Sequence, residues 1–202
     1  GSPRGALASG AFGQTPMKLV FLLEEPSAAR FLEQFLPRWN PGLNFLCIPH
    51  QGKTDLEKSI PRKLRGWQSP QDRFVVLRDN DGQDCRKLKE RLRAVCDETG
   101  RPGVLVRLAC QELEAWFLGD LKAVAKSFDN PSLAQEQDKK KFRQPDRLGS
   151  PSEELKKLVP AYRKLQGATV LGTALDLDIE QNRSHSFRAF FLGLQRLINQ
   201  VS

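Results

Sequence analysis

Four short apolar runs, each followed by a stretch of helical spacing, constrain this 202-residue chain more than any other feature. The runs are KLVFLL at 18–23, LNFLCI at 43–48, RFVVLR at 73–78 and VLVRLA at 104–109. Short apolar runs of this kind belong to parallel strands buried on both faces. A helix is expected from Ser27 to about Pro37, with Ala28, Phe31, Leu32, Phe35 and Leu36 on one face and Ser27 at the N-cap. A second is expected over 54–66, interrupted near Pro61. A third spans 84–99, with Leu88, Leu92, Val95 and Cys96 as its stripe, and is ended by Gly100, Pro102 and Gly103. The fourth run leads directly into the helical segment QELEAWFLGD. This alternation predicts an α/β fold: a doubly wound, mostly parallel sheet flanked by helices, with active residues gathered at the carboxyl ends of its strands.

Residues 1–16 are small and polar, open with Gly-Ser and stop before Met17, so they read as a vector-derived or disordered leader. The α/β core is expected over 17–128. Residues 129–202 would form a basic linker and a C-terminal helical extension packing on the core. Within that part, 130–152 is polar, carries Pro131, Pro145 and Pro151, and reads as a mobile connection or an exposed helical hairpin. Its run DKKKFR at 138–143 makes Lys139, Lys140, Lys141 and Arg143 either solvated surface or a track for phosphates. From about Ser186 the chain closes with an amphipathic helix. Its stripe of Phe187, Phe190, Phe191, Leu194, Leu197, Ile198 and Val201 is core or a dimer interface, which leaves a homodimer open.

Cys47, Cys85, Cys96 and Cys110 form no CxxC pair, and three of them lie in or beside apolar runs, as reduced thiols do. Neither a disulfide framework nor a zinc site is expected, and the compartment is expected to be the cytoplasm. No apolar run approaches the roughly 20 residues that cross a bilayer. The net charge of +8 favours polyanionic partners.

Acidic residues follow three of the four runs: Glu24 and Glu25 after the first, Asp79-Asn80-Asp81-Gly82 after the third, Glu112 and Glu114 after the fourth. Three strands would thus end in carboxylates at one edge of one sheet. Such a cluster is costly unless a cation or bound protons neutralise it. Oxygen ligands without histidine or thiolate suit Mg²⁺ or Mn²⁺. Residues two apart leaving a strand point to one side, so Asp79 and Asp81 can face one ion, and Gly82 then permits a sharp turn. Acids at helix N-termini also complement the dipole, which accounts for Asp84 and for Glu112 equally well.

Glutamate after the first strand and Asp-x-Asp after a later one resemble the Toprim superfamily of topoisomerases, primases, OLD-family nucleases and small maturation ribonucleases. The matching segments are LLEEPSA, with Glu24, and VVLRDNDGQD, with Asp79 and Asp81. QELEAWFLGD at 111–120 and NRSHSF at 182–187 are more particularly similar to a bacterial Toprim-like family, domain-of-unknown-function family 4276. That family is often encoded beside AAA or ABC-type ATPases in defence-like clusters. Two positions depart from the Toprim pattern: Glu25 stands where glycine is usual, and Ala28 replaces a frequent aspartate. Glu112 or Glu114 would supply the missing ligand.

The resemblance implies a metal-dependent endonuclease acting on DNA or RNA, as part of an ATPase-linked anti-phage system. Asp79, Asp81 and a glutamate would hold one or two Mg²⁺, which in two-metal sites lie about 4 Å apart, and Glu24 would be general base or acid or would share a metal. His185, with Arg183 beside it at the start of the last helix, would contact phosphate or relay a proton, or is ordinary surface. His50 in PHQGK reads as a loop residue, Trp116 as core, and Tyr162 as a packing residue rather than a topoisomerase nucleophile. Two rivals remain. One is a non-catalytic Toprim-fold module that binds nucleic acid or regulates; the other is a receiver-like domain, which lacks its expected lysine after the fourth strand, where Ala109, Cys110 and Gln111 stand.

Overall fold

In the computed structural model, which describes residues 16–200, the four apolar runs form β1 (Leu19–Leu23), β2 (Phe45–Pro49), β3 (Arg73–Asp79) and β4 (Leu105–Ala109). All pair in parallel, in the order β2-β1-β3-β4. The leader expected over 1–16 falls almost wholly outside the described residues, as does Val201.

Nine helices are present among the described residues: α1 (Pro26–Trp39), α2 (Lys53–Gly66), α3 (Cys85–Asp97), α4 (Glu114–Leu118), α5 (Leu121–Ser127), α6 (Leu133–Glu136), α7 (Pro151–Leu158), α8 (Lys164–Ala174) and α9 (His185–Asn199). Single 3₁₀ turns occur at Pro145–Arg147 and Ile179–Gln181. None is long and apolar enough to cross a membrane.

Strand alternation divides the core into two layers. Leu19, Phe21, Leu23, Val75, Leu77 and Ala109 face α1, α4, α8 and α9. Val20, Leu22, Phe74, Val76, Val106 and Leu108 face α2 and α3. The doubly wound arrangement read from the alternation is therefore the observed one. The second run departs from that reading, because β2 is an edge strand and Leu46 is 39% exposed.

Local details shift the helix boundaries. α1 begins at Pro26, whose fixed φ suits the first helical position, and Glu25 rather than Ser27 is the N-cap. α2 passes through Pro61 without a break. An interior proline costs about 3 kcal/mol, whereas each fully buried aliphatic side chain contributes roughly 1.5–3 kcal/mol. Leu56, Ile60 and Leu64 are buried on the sheet, so packing wins.

The C-terminal stripe is core. Phe187, Phe190, Phe191 and Leu194 are completely buried in the layer that holds Trp116 and Phe35. Residues 130–152 are largely exposed, as expected, and form only short helical turns, but a few side chains anchor them on the core. Leu133, Phe142 and Pro145 are buried. The Gln137 side chain accepts from the Leu121 N–H at 2.8 Å and donates to the carbonyls of Leu118 at 3.0 Å and Phe142 at 2.9 Å. One amide thus anchors a polar segment that has little apolar area to bury.

α8 lies tightly on α1. A Cβ at Gly172 would stand 2.7 Å from the Phe31 carbonyl oxygen, so only glycine permits this approach. The Gly172 carbonyl in turn accepts from Arg38 at 2.8 Å. This contact fixes where the start of α8, and with it Lys164, meets the sheet edge.

Candidate functional site

The chain reverses direction across the sheet between β1 and β3, the adjacent central strands. In open parallel sheets this switch point opens a crevice at the carboxyl ends. Glu24 follows β1 there, and Asp79 ends β3. The Glu24 carboxylate, 9% exposed, accepts the Asp79 backbone N–H at 2.9 Å. Asp81 lies two residues on. Asn80 to Gln83 closes as a turn in which the Gln83 N–H donates to the Asn80 carbonyl at 2.8 Å. Both central residues have positive φ, Asp81 at 49° and Gly82 at 76°. Such a turn requires glycine or Asn/Asp-type residues at its centre, which is what Asp81-Gly82 supplies.

Glu114, in the first turn of α4, is 1% exposed and accepts from the Tyr162 hydroxyl at 3.1 Å. Burial pushes the Asp79 carboxyl well above the ordinary aspartate range, and Glu24, Glu114, Glu25 and Asp81 push it further. Burial also raises Glu24, opposed by the hydrogen bond from Asp79 and assisted by Asp81 and Glu25. Glu114 is raised by burial against the pull of Lys164. Five carboxylates thus share one electrostatic neighbourhood.

Glu112 stands apart from this centre. It is half-buried, accepts from the Ser152 N–H at 3.4 Å, and acts on Glu114 as a neighbouring charge. His185 is exposed at the start of α9. The anion position at that helix N-terminus is filled by Asp146, which accepts from the Ser184 hydroxyl at 2.6 Å and the Ser186 N–H at 2.8 Å. Ser184 caps the helix. Arg183 lies 3.7 Å from Asp138. In the basic run, Lys139 pairs with Glu136 at 2.7 Å, Lys141 with Glu154 at 2.5 Å, and Arg143 donates to the Asp138 carbonyl at 2.7 Å; Lys140 is exposed. Three of the four cations in this run thus already have a partner, two of them within residues 130–152.

Several residues escaped the sequence reading. Two lysines border the cluster: Lys53 lies 3.6 Å from Asp81, and Lys164 lies 2.8 Å from Glu25. Lys53 begins α2 just past the carboxyl end of β2, a position PHQGK signals; Lys164 arrives on α8 with no local cue. Asn80, between the two aspartates, is buried and ties the β3 and β4 loops together. Its side chain accepts from the Gln111 N–H and donates to the Gln83 carbonyl at 3.0 Å. His50 lies in the loop between β2 and α2, as read, but it is not exposed. It is buried, Nδ1–H donates to the Leu23 carbonyl at 2.8 Å, and Nε2 meets Ser59 Oγ at 2.6 Å. On the opposite face, buried Arg78 pairs with Glu57, which Arg91 also holds through two 2.9 Å contacts. Tyr162 and Trp116 are fully buried, as read.

The two longer motifs prove to interlock. Asn182 donates to the Trp116 carbonyl at 3.0 Å, Trp116 Nε1–H donates to Ser186 Oγ at 3.0 Å, and the Arg183 N–H donates to the Gly119 carbonyl at 2.9 Å. QELEAWFLGD and NRSHSF are therefore the two halves of one structural clasp beside β4.

An all-oxygen donor set with raised proton affinity suits a hard divalent cation in chemical type. In the arrangement described, no three of the described His, Cys, Asp or Glu side chains are drawn together closely enough to hold one. Lys53 and Lys164 supply part of the missing positive charge instead. Coordination would require Asp81, exposed and held by a single ion pair, to turn inward.

Fold and site together define an α/β domain with a carboxylate cluster at the switch point of a four-stranded parallel sheet. A family model described as a domain of unknown function, DUF4276, matches residues 23–195, and the chain belongs to that family. No curated protein matches. Among solved structures, the C-terminal region of the Burkholderia pseudomallei OLD protein is similar in fold, with a TM-score of 0.57 and 19% identity over 92% of this chain and 98% of that one. The C-terminal region of the Xanthomonas campestris pv. campestris OLD protein matches more weakly, with a TM-score of 0.48 and 13% identity over 91% of this chain and 95% of that one.

Proposed function

We propose that this chain is a Toprim-type domain that hydrolyses nucleic-acid phosphodiesters with Mg²⁺ or Mn²⁺, working with an ATPase in anti-phage defence. The observation that carries the reading is that Glu24, Asp79, Asp81 and Glu114 share one electrostatic neighbourhood at the carboxyl edge of the sheet, where Asp79 and Glu24 are held above their usual proton affinity. Such carboxylates are poorly stabilised without a cation, and raised affinity for positive charge is what a binding site for one requires.

Asp79 and Asp81 would be the principal ligands, with Glu24 or Glu114 completing the set. A bound divalent ion would polarise the phosphoryl oxygen and stabilise the attacking and leaving oxygens. Glu24, fixed by the Asp79 N–H, is suited to take a proton from an attacking water because its raised pKa brings it nearer neutrality. Lys53 could release Asp81 and turn to a phosphate.

The decisive experiment is cleavage of labelled single- and double-stranded DNA and RNA with Mg²⁺, Mn²⁺ or EDTA, beside Asp79→Ala and Glu24→Ala. Metal-dependent cutting lost in both variants is the expected result. The ion pairs of Lys53 and Lys164 favour a second reading, in which the ammonium groups are permanent substitutes for metal and the domain is a non-catalytic binding module. Binding without cutting under every metal condition would select it.

A further inference from the structure

One group of cations without ion pairs lies outside the basic run, along the β4 edge. β4 is an edge strand, flanked by α3 on one side and α9 on the other. Along it run two grooves that share Arg107. One, of about 440 Å³, is lined by Cys85, Arg86, Lys89, Cys110 and His185. The other, of about 230 Å³, reaches Gly103, Gly193 and Arg196. Arg86, Lys89, Arg93, Arg107 and Arg196 form no ion pair with any described residue, in contrast to Lys139 and Lys141.

Arg107 is the telling member. Its guanidinium is half-buried across α9, donating to the Ala189 carbonyl at 3.3 Å. A Cβ at Gly193 would stand 2.8 Å from its terminal nitrogen, so glycine makes the room. Burial lowers its proton affinity, and Arg196 and Arg93 lower it further; burial, Arg107 and Arg93 do the same to Lys89. Arg107 and Lys89 are thus partly desolvated cations facing like charges, and the Ala189 and Val106 carbonyls that Arg107 reaches carry no full negative charge to offset them. A row of like charges along an edge also discourages pairing with a second copy of the same strand.

We propose that a nucleic-acid strand lies along the β4 edge, its phosphates meeting Arg86, Lys89, Arg107 and Arg196, and reaches the carboxylate cluster from that side. This rests on the nucleic-acid reading above. The five residues of β4, Leu105 to Ala109, span about 13 Å at strand spacing, enough for consecutive phosphates. The groove's far end adjoins the cluster: Asp79 pairs in register with Ala109, and the Asp81 N–H donates to the Gln111 carbonyl at 3.1 Å. Net charge alone could not locate this track, because its members come from α3, β4 and α9.

The test measures binding of the full chain to fluorescein-labelled single- and double-stranded oligonucleotides across a salt series, with Ca²⁺ replacing Mg²⁺ to hold back cleavage. A triple variant, Arg86→Gln with Lys89→Gln and Arg196→Gln, is compared with Lys139→Gln/Lys140→Gln, and unfolding temperatures confirm that both fold. The edge variant should bind about tenfold or more weakly, with a salt slope reduced by about 0.7–0.9 for each phosphate no longer neutralised; the basic-run variant should match the wild type. Equal binding by the edge variant overturns the track, while metal-dependent cleavage by the wild type would leave the hydrolase reading standing. Weakened binding without cleavage upholds the track and removes the hydrolase reading. If no oligonucleotide binds, both fail. If polyglutamate binds as tightly as the oligonucleotides and with the same sensitivity to the edge variant, the groove takes an acidic protein instead, and the proposal is wrong.

Discussion

The Glu24 carboxylate accepts the backbone N–H of Asp79, so the first acidic residue after β1 is bonded to the last residue of β3 at 2.9 Å. This single contact joins the two central strands at the point where the chain reverses its direction across the sheet. It also keeps the two carboxylates in one electrostatic neighbourhood. Asp79 consequently bears the full effect of burial and four neighbouring acids.

The raised carboxyls give a stability signature. Unfolded Asp and Glu titrate near 4, so above that pH the folded chain holds more protons than the unfolded one until the raised values are passed. Their contribution is fully present below about pH 4 and is lost as pH rises through the folded pKa values. Asp79→Asn in EDTA should therefore melt higher than the wild type at pH 8, by about 2–4 °C if ~1 kcal/mol of repulsion is removed. The difference should shrink toward pH 4. Thermal melts at pH 4 to 8 check this, and a pH-independent difference would contradict it.

Asn80 positions both aspartates without carrying charge. Asn80→Ala removes its bonds to the exposed Gln83 carbonyl and the half-buried Gln111 N–H, at about 1–3 kcal/mol for the two together. Urea unfolding should show that loss, and divalent-ion affinity should fall although every carboxylate remains. Unchanged affinity would mean that the turn does not set the geometry of the site.

Tyr162 is a partner of Glu114, not a nucleophile. Its hydroxyl is buried, and burial, then Glu114, drives its pKa upward, against the phenolate a nucleophile would need. Tyr162→Phe should cost about 1–3 kcal/mol by leaving Glu114 short of a donor, while any cleavage activity persists within a few-fold. Abolished cleavage in a folded variant would restore the nucleophile.

The clasp between the two motifs turns on Gly119. A Cβ there would lie 1.9 Å from Asn182 Oδ1 and 2.8 Å from the backbone nitrogen of Ser184. The Ser184 backbone cannot rotate away as a side chain can, so Gly119→Ala should destabilise by about 3 kcal/mol, the upper end of ordinary overpacking. Calorimetry would read this as a fall in Tm of several degrees, and a neutral substitution would refute the clasp.

The strands were legible because a strand buried on both faces leaves an uninterrupted apolar run, as VFLL and FVVL do. The acids were legible because a parallel sheet brings the residues just past each strand to one edge, so chain position alone gathered Glu24, Asp79 and Asp81. Other features depend on distant partners. Lys164 reaches Glu25 across 139 residues, and no local pattern announces such a contact. The segment 130–152 looked solvated because its packing relies on one glutamine and two or three apolar residues rather than on a periodic stripe. DKKKFR drew notice by being contiguous, yet Lys139 and Lys141 are paired, while the cations along the β4 edge are dispersed over α3, β4 and α9. The strand order β2-β1-β3-β4, which makes β4 an edge, likewise arises from long-range pairing.

The central claim, that the carboxylate cluster receives a divalent cation, is tested most directly by titrating Mn²⁺ and Mg²⁺ into the metal-free protein by calorimetry, alongside Asp79→Asn. Saturable binding to the wild type is expected, accompanied by proton release from the raised carboxyls, with its loss in the variant. No heat of binding to the folded wild type, or binding undiminished in Asp79→Asn, would contradict it.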